Sequence, residues 1–441
     1  MADPLLALKL PFQLALRAAF GDEWADADPV IRRSDRADCQ ADVALGLAKK
    51  LGRPPRDVAA ALLQQLDVSA ICSGAEMAGP GFINLTLRGE WLAQQTAALR
   101  TDVKLGVAPA ERPETVVVDY SSPNVAKEMH VGHLRTTIIG DALARVMEFL
   151  GRSVIRQNHL GDWGTPFGML IEHLIDAGGD VAAELTAADL ESFYKQARAK
   201  FDADPAFADR SRRRVVLLQS GDEHTLALWA ELVNESKRYL SAVYARLGVS
   251  LGDADIRGES FYNPMLDQVV RDLDEKGLLV SNDGALCVFP SGFTNKANEP
   301  LPLIVRKQDG GYGYAATDLA ALRYRTSVLG ASLVLYVVGA PQQQHLAMVF
   351  AVARDAGWLR PPARAEHVAF GSVLGADKKM FKTRSGESIK LMSLLDEAVQ
   401  RAAAVVAEKN PNLAPEARAD VARQVGIGAV KYADLSSDRI K

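Results

Sequence analysis

This sequence predicts a doubly wound α/β fold built on a parallel sheet for most of its length, and three observations carry the prediction. Val116, Val117 and Val118 form a β-branched run without polar alternation, the pattern of a strand buried on both faces. A helical stretch follows, and the strand–helix pattern returns with Val154-Ile155-Arg156-Gln157-Asn158 ahead of a helix from about Pro166. It returns again where the run 333–338 leads through Gly339 and Pro341 into a helix closed by Gly357. Strands alternating with helices build a parallel sheet, whose ligands sit at the carboxyl ends of its strands.

Composition bounds the rest. At 441 residues, 48% hydrophobic and 24% charged, the chain is long enough for two or three domains. No stretch approaches the ~20 uninterrupted apolar residues of a spanning helix, so no membrane partner is expected. The first 16 residues lack a basic leader region and carry Lys9 and Pro11 among their apolar positions, which reads as an amphipathic helix rather than a signal peptide. Cys39, Cys72 and Cys287 are too few and too scattered for a disulfide framework or a zinc knuckle, as suits a reducing cytoplasm. The net charge of −4 neither announces a nucleic-acid partner nor excludes one. The densest basic run, Arg210-Ser211-Arg212-Arg213-Arg214, reads as a solvated helix face.

Residues 1 to about 110 read as a separate α+β unit. Helical patterns at 5–20, 41–50 and 57–65 precede Gly79-Pro80-Gly81, a turn into the alternating strand Phe82-Ile83-Asn84-Leu85-Thr86-Leu87. No catalytic constellation appears there, and 109–113, with a proline at each end, reads as a linker.

The next stretch, 115–151, organises the remainder. After the valine strand, Pro123 pushes Ser122 toward extended backbone and delays the helix. That helix carries Leu134, Ile138, Ala142, Val146 and Leu150 along one face and ends at Gly151, a C′ glycine. Its first turn reads His130-Val131-Gly132-His133. Unpaired N–H groups and the positive dipole end there favour phosphate. Two imidazoles three apart share one side of the turn and can donate to a polyphosphate, while Gly132 leaves room for a flat base. By spacing alone, a metal half-site or two surface histidines stay open.

Ser121-Ser122-Pro123-Asn124-Val125-Ala126-Lys127 leading into His130-Val131-Gly132-His133 closely resembles the HIGH region of class I arginyl-tRNA synthetases. The resemblance runs on through Leu134-Arg135-Thr136-Thr137-Ile138-Ile139-Gly140-Asp141. It implies a Rossmann-type catalytic domain over 111–400 and an N-terminal accessory domain over 1–110 that contacts the tRNA elbow. His159-Leu160-Gly161-Asp162-Trp163-Gly164 resembles a further block of the family, with Asp162 and Trp163 read as structural.

Residues 180–260 are helical and polar, with Trp229, Tyr239 and Tyr244 at near-helical intervals, a stripe that reads as core. Asn282-Asp283-Gly284 and the prolines at 290, 300 and 302 mark a β-rich segment, so an insertion is expected over about 180–305. Leu303-Ile304-Val305 is expected to begin the second half of the doubly wound domain, and Tyr314 and Asp318 share a helix face after it. A third strand is expected at Val368-Ala369-Phe370. The cationic, glycine-bounded loop that follows contains Lys379-Met380-Phe381-Lys382-Thr383, which resembles the class I KMSKS signature. Read by composition, such a loop is simply solvated.

The resemblance implies ATP-dependent activation of L-arginine and its transfer to the 2′-hydroxyl of the terminal adenosine of tRNA(Arg). His130 and His133 are then expected on the phosphates, Gly132 on adenine, Val368 and Phe370 among the ATP contacts, and Lys379 and Lys382 on the leaving pyrophosphate. Lys127 stands where a lysine ahead of the HIGH motif serves in members that lack the second-motif lysine. Mg2+ is expected on the nucleotide, with no metal ligands in the protein. A permanently charged planar guanidinium calls for fixed carboxylates and amide oxygens. Asn124, Tyr314, Asp318 and Gln342 match the family's arginine pocket, Asp119 stands where some members have Glu, and Asp318 is expected to be the main guanidinium partner. Residues 401–441 resemble the start of the family's helical anticodon-binding domain, stopping short at Lys441, and a monomer is expected. Three alternatives stay open: a trimmed paralogue serving a non-tRNA acceptor, an HxGH nucleotidylyltransferase, and a non-catalytic RNA-binding module.

Overall fold

The chain divides into two compact units, Met1–Pro109 and Ala110–Lys441. The structure, a computed structural model, describes residues 3–110, 113–178, 187–373 and 389–440.

The first unit runs α1 (Pro4–Phe20), β1 (Ile31–Arg33), β2 (Cys39–Ala41), α2 (Val43–Leu51), α3 (Pro55–Gln65), β3 (Cys72–Ala78), β4 (Phe82–Leu87) and α4 (Gly89–Leu99). Its strands form one antiparallel sheet in the order β1-β2-β4-β3. The Asp3 carboxylate accepts from the Leu5 N–H at 2.9 Å and Pro4 occupies the first turn, so α1 starts where an N-cap and a proline dictate. Leu8, Phe12 and Leu16 of α1 bury completely with Leu62 of α3 and with Ile83 and Leu85, the inward positions of β4. Cys39 and Cys72 lie in this core, where burial pushes the Cys72 thiol up to about 11. Both are free, as is Cys287.

The second unit runs β5 (Thr115–Asp119), α5 (Val131–Phe149), β6 (Ser153–Gln157), α6 (Thr165–Asp176), α7 (Ala187–Ala203), α8 (Pro205–Ser220), α9 (Glu223–Leu247) and α10 (Glu259–Glu275). There follow β7 (Val280–Asn282), β8 (Ala285–Val288), β9 (Leu303–Arg306), α11 (Tyr314–Ser327), β10 (Leu333–Tyr336), α12 (Gln343–Asp355), β11 (Arg364–His367), α13 (Leu391–Lys409) and α14 (Pro415–Leu435). Four strands pair in parallel in the order β11-β10-β5-β6. From β5 the chain crosses through α5 to β6 on one side, and from β10 through α12 to β11 on the other. The winding therefore reverses between β5 and β10, which is where such sheets open a ligand crevice. Asp119 and Tyr336 face each other across that edge.

The valine run is explained by two cores. Val116 and Val118 enter one with α5, α6, α9 and α13, whereas Val117 enters the other with α10, α11 and α12. On α5, Gly140 is required by the approach to β5, because a Cβ there would lie 2.3 Å from the Tyr120 side chain.

Several expectations need correcting. β9 does not join the parallel sheet; it completes a separate antiparallel sheet, β7-β8-β9. The last parallel strand is the polar Arg364–His367, an edge strand without a buried run to betray it. The apolar Val368-Ala369-Phe370 runs on from it in the same parallel register, with the Val368 N–H on the Tyr336 carbonyl and Phe370 bridging Gly339, so the expected third strand begins four residues earlier, at Arg364. Val146 is 54% exposed, since residues four apart advance by about 40° more than a full turn and drift off the buried face. Ser122 is not extended but sits at φ 47°.

Candidate active site

His130 is the N-cap of α5, with extended backbone, and its Nδ1 accepts from the Gly132 N–H at 3.0 Å. The His130 N–H in turn donates to His133 Nδ1 at 3.1 Å, which completes a capping box made of two histidines. The ring centroids stand 4.0 Å apart. With each Nδ1 accepting from a backbone N–H, the proton of a neutral ring at either position belongs on Nε2. Ligation of a metal needs a bare ring nitrogen, and the bare ones are committed to the backbone. Burial, and then the neighbouring His130, push His133 down to about 3, so its imidazole stays uncharged at neutral pH. A side chain on Gly132 would meet the His130 ring at 2.7 Å.

The chain leading into this turn is strained. Ser121, Ser122 and Ala126 lie at φ 72°, 47° and 60°, each a conformation that costs a non-glycine residue about 1–3 kcal/mol. Hydrogen bonds from distant elements hold them there. Thr136 Oγ1 accepts from the Ser121 N–H at 3.0 Å, and Asn158 Oδ1 from the Ser122 N–H at 2.9 Å. The Tyr244 hydroxyl on α9 bonds both Ser121 Oγ and Asn158 Nδ2 at 2.8 Å. Also on α9, Ser236 Oγ accepts from the Ala126 N–H at 3.0 Å and the Tyr239 hydroxyl from the Met129 N–H at 3.1 Å. Trp229 Nε1 donates to the Asp162 carbonyl at 2.7 Å. The aromatic stripe is core, as the sequence reads, with Tyr244 buried and Trp229 and Tyr239 packed against it, and its polar tips also hold the 121–129 stretch and the Asp162 carbonyl. The Asp162 carboxylate accepts from the Ser260 N–H and hydroxyl at 2.8 and 2.7 Å, a cap on α10 in keeping with a structural reading.

Asp119, at the carboxyl end of β5, is buried with both oxygens engaged. Arg325 Nη2 lies 2.8 Å from one, and the Ser122 hydroxyl donates to the other at 3.1 Å. Arg325 is wholly buried, donates through Nε to Gln157 at 2.6 Å, and stacks 4.9 Å from the Tyr336 ring centroid. Asp318 projects from the first turns of α11, with His345 Nε2 of α12 at 2.6 Å from its Oδ2. Tyr314 is 78% exposed on the same helix and, with His345, lines an open cleft of about 420 Å³ shared with Leu303, Ile304, Lys307 and Met348. Asn124 is exposed and bridges Gly161, and Gln342 is exposed just ahead of α12. Burial, with Asp162 and Asp318 nearby, pushes the Glu259 carboxyl up to about 8. Arg325, His345 and Glu259 were not singled out by the sequence. The available signals were that Asp318 and Arg325 lie two turns apart on α11, and that His345 follows Gln342 by three residues.

Lys127 is exposed, its ammonium 4.4 Å from the Tyr194 ring centroid. Val368 is half-buried, its N–H on the Tyr336 carbonyl at 2.8 Å, and Phe370 is buried below the Arg135 guanidinium. Lys379 and Lys382 lie outside the described residues. The chain on either side of their loop is anchored at the histidine helix. Arg135 Nη1 donates to the Gly371 carbonyl at 2.8 Å, and Lys390 pairs antiparallel with His130, its ammonium on Glu128. Of the basic run on α8, Arg212 and Arg213 are exposed, as a solvated face requires, while Arg210 and Arg214 close on Glu172 at 3.1 and 2.8 Å.

Comparison with known proteins adds an independent line. Residues 94–441 match the family model described as tRNA synthetases class I (R), catalytic domain, and residues 7–87 the Arginyl tRNA synthetase N terminal domain. The arginine–tRNA ligase of Thermobifida fusca is 60% identical over 99% of this chain and 76% of its own length. That of Saccharophagus degradans is 53% identical over 96% and 74%. Among solved structures, arginyl-tRNA synthetase from Plasmodium falciparum aligns with a TM-score of 0.80 at 29% identity, over 99% of this chain and 75% of that one. The Thermus thermophilus arginyl-tRNA synthetase shares the fold, with a TM-score of 0.75 at 23% identity over 99% and 76%.

Proposed function

The chain belongs to the arginyl-tRNA synthetase family, and from that premise we propose how its residues divide the work. The reaction is a class I ligation. L-arginine and ATP give arginyl-adenylate and pyrophosphate, and the arginyl group then passes to the 3′-terminal adenosine of tRNA(Arg) with release of AMP. The relatives match over nearly the whole chain, which gives no support to a nucleotidylyltransferase or to a paralogue with another acceptor.

In activation, a carboxylate oxygen of arginine attacks the α-phosphorus in line, and the bond to the bridging oxygen breaks as pyrophosphate leaves. Positioning and charge stabilisation dominate such a step. The observation that carries our reading is the histidine turn: two Nε2–H donors and the N-terminus of α5 converge where the triphosphate would bind. His130 and His133 donate to the phosphates, Gly132 lies under adenine, and Val368 and Phe370 shape the wall. Lys127, Lys379 and Lys382 supply cationic charge to the leaving group. Imidazoles and backbone N–H groups offer no hard oxygen ligand, so Mg2+ would ride on the nucleotide and its waters, and no protein ligand is assigned to it.

For the amino acid, Asp318 takes the guanidinium, with Tyr314, Asn124 and Gln342 around the substrate. Asp119, already engaged by Arg325, acts through the network beneath the pocket. The first unit contacts the tRNA elbow, and α13 with α14 begins the anticodon-binding part. The protein acts as a monomer, and in the cytoplasm, a reducing compartment that its buried free thiols suit. Arginine-dependent pyrophosphate exchange in the presence of tRNA tests the site. Asp318→Ala should raise the arginine KM more than tenfold and leave the ATP KM nearly unchanged, and an unaltered arginine KM would remove Asp318 from the role.

A further inference from the structure

The carboxylate assigned to the substrate guanidinium already has a partner. His345 Nε2 stands 2.6 Å from Asp318 Oδ2, and the two side chains keep 30% and 24% of their surface open. A protonated imidazole on a carboxylate is the same kind of contact as the one the substrate would make, a planar nitrogen cation on an oxyanion. We propose that the His345 imidazolium competes with arginine for Asp318, so that arginine binding expels a proton from His345 and arginine affinity depends on pH. The inference rests on Asp318 being the guanidinium partner.

Asp318 is the charge directly on His345, and beyond it stands Glu259, whose carboxyl is pushed up to about 8 by burial with Asp162 and Asp318 nearby and so ionises over the same pH range. From α11 come Asp318 and the Tyr314 hydroxyl, and from the turn after β9 comes Lys307 across the cleft. From β11 come Arg364, Glu366 and His367. Arg364 pairs with Glu114 at 3.1 Å and with Glu366 at 3.3 Å, and His367 is bonded to the Val338 carbonyl at 2.8 Å. The turn Ala340-Pro341-Gln342 carries no titratable group, and Arg354 and Asp355 lie at the far end of α12. The hydrogen bond from Asp318 raises His345 above the usual histidine range. An arriving guanidinium takes over the stabilising oxygen and adds a repelling charge, so the imidazole loses its proton. Affinity is then weakest at low pH, climbs as pH rises through the raised value, and levels off above it.

Arginine titrated calorimetrically into the full chain, without ATP, tests this. Wild type should bind at least about fivefold more weakly at pH 6.0 than at pH 8.0, with the slope bounded at tenfold per pH unit for strict one-proton exclusion. Heats in two buffers of different ionisation enthalpy should show proton release. His345→Gln, which keeps a donor without a charge, should abolish both the pH slope and the release when made in a Glu259→Gln chain, where the neighbouring carboxyl no longer titrates. His345→Lys, a permanent cation, should bind arginine at pH 8.0 as weakly as wild type does at pH 6.0. An unreduced slope when His345→Gln is added to the Glu259→Gln chain, or no slope in wild type, overturns the competition. Asp318→Ala binding arginine with wild-type affinity would instead overturn the assignment of the carboxylate on which the competition rests.

Discussion

The guanidinium of Arg135 and the carboxylate of Asp434 meet at 2.7 Å, with side chains only 5% and 10% exposed. Arg135 belongs to the histidine helix and Asp434 to the last turn of α14. The same guanidinium donates to the Gly371 carbonyl and lies over the Phe370 ring, 5.8 Å from its centroid. One side chain therefore ties the histidine helix to the sheet edge and to α14.

Removing one partner should strand the other charge. Asp434→Ala is expected to lose about 3–5 kcal/mol in urea unfolding, and Asp434→Leu combined with Arg135→Met should recover much of it. A single-variant loss below about 1 kcal/mol would mean that the pair does not hold the helix.

His133 should contribute no titration to catalysis near neutrality. Its value in the folded protein, about 3, lies beneath the unfolded one of about 6.5. Its contribution to stability is therefore complete above the unfolded value and erodes as pH falls toward the folded one. His133→Asn, which keeps an N–H donor, should retain the wild-type pH–kcat shape between pH 6 and 8. His133→Ala should lose about 10²–10³ in kcat. A wild-type limb near pH 6 that vanishes in His133→Asn would contradict the neutral-donor role.

Tyr244→Phe deletes one hydroxyl and leaves Ser121 and Asn158 each a partner short. We expect a stability loss of about 1–3 kcal/mol by thermal unfolding, with kcat falling more than the arginine KM rises, because the strained turn loosens. Stability lost at unaltered kcat would mean the brace does not reach the chemistry.

Arg325→Met leaves Asp119 buried and uncompensated. The expected cost is about 3–5 kcal/mol, together with a raised arginine KM. Asp119→Asn in the same chain should restore part of the stability, and a double-mutant cycle measures the coupling directly.

What could be read in the chain beforehand was local. The valine run, the helix with its C′ glycine and the paired histidines all lie within a few residues of one another, and their periodicity survives in one dimension. The bracing of the histidine turn does not, because Ala126 meets Ser236, and Met129 meets Tyr239, across 110 residues of intervening chain. Hydroxyls on a polar helix carry no mark of what they will touch. Asp119 shows the same limit from the other side: its position at a strand end was legible, but the buried Arg325 that occupies it was not. The first residues of β11 escaped because an edge strand has no need of an apolar run.

The helical insertion, for its part, cannot be treated as removable. An engineer who excised α9, or swapped in a helix from another scaffold, would be cutting the struts beneath the nucleotide turn. A graft would have to bring back an indole at 229 and hydroxyls at 236, 239 and 244, in register, before the 121–129 and 159–164 turns regained their partners.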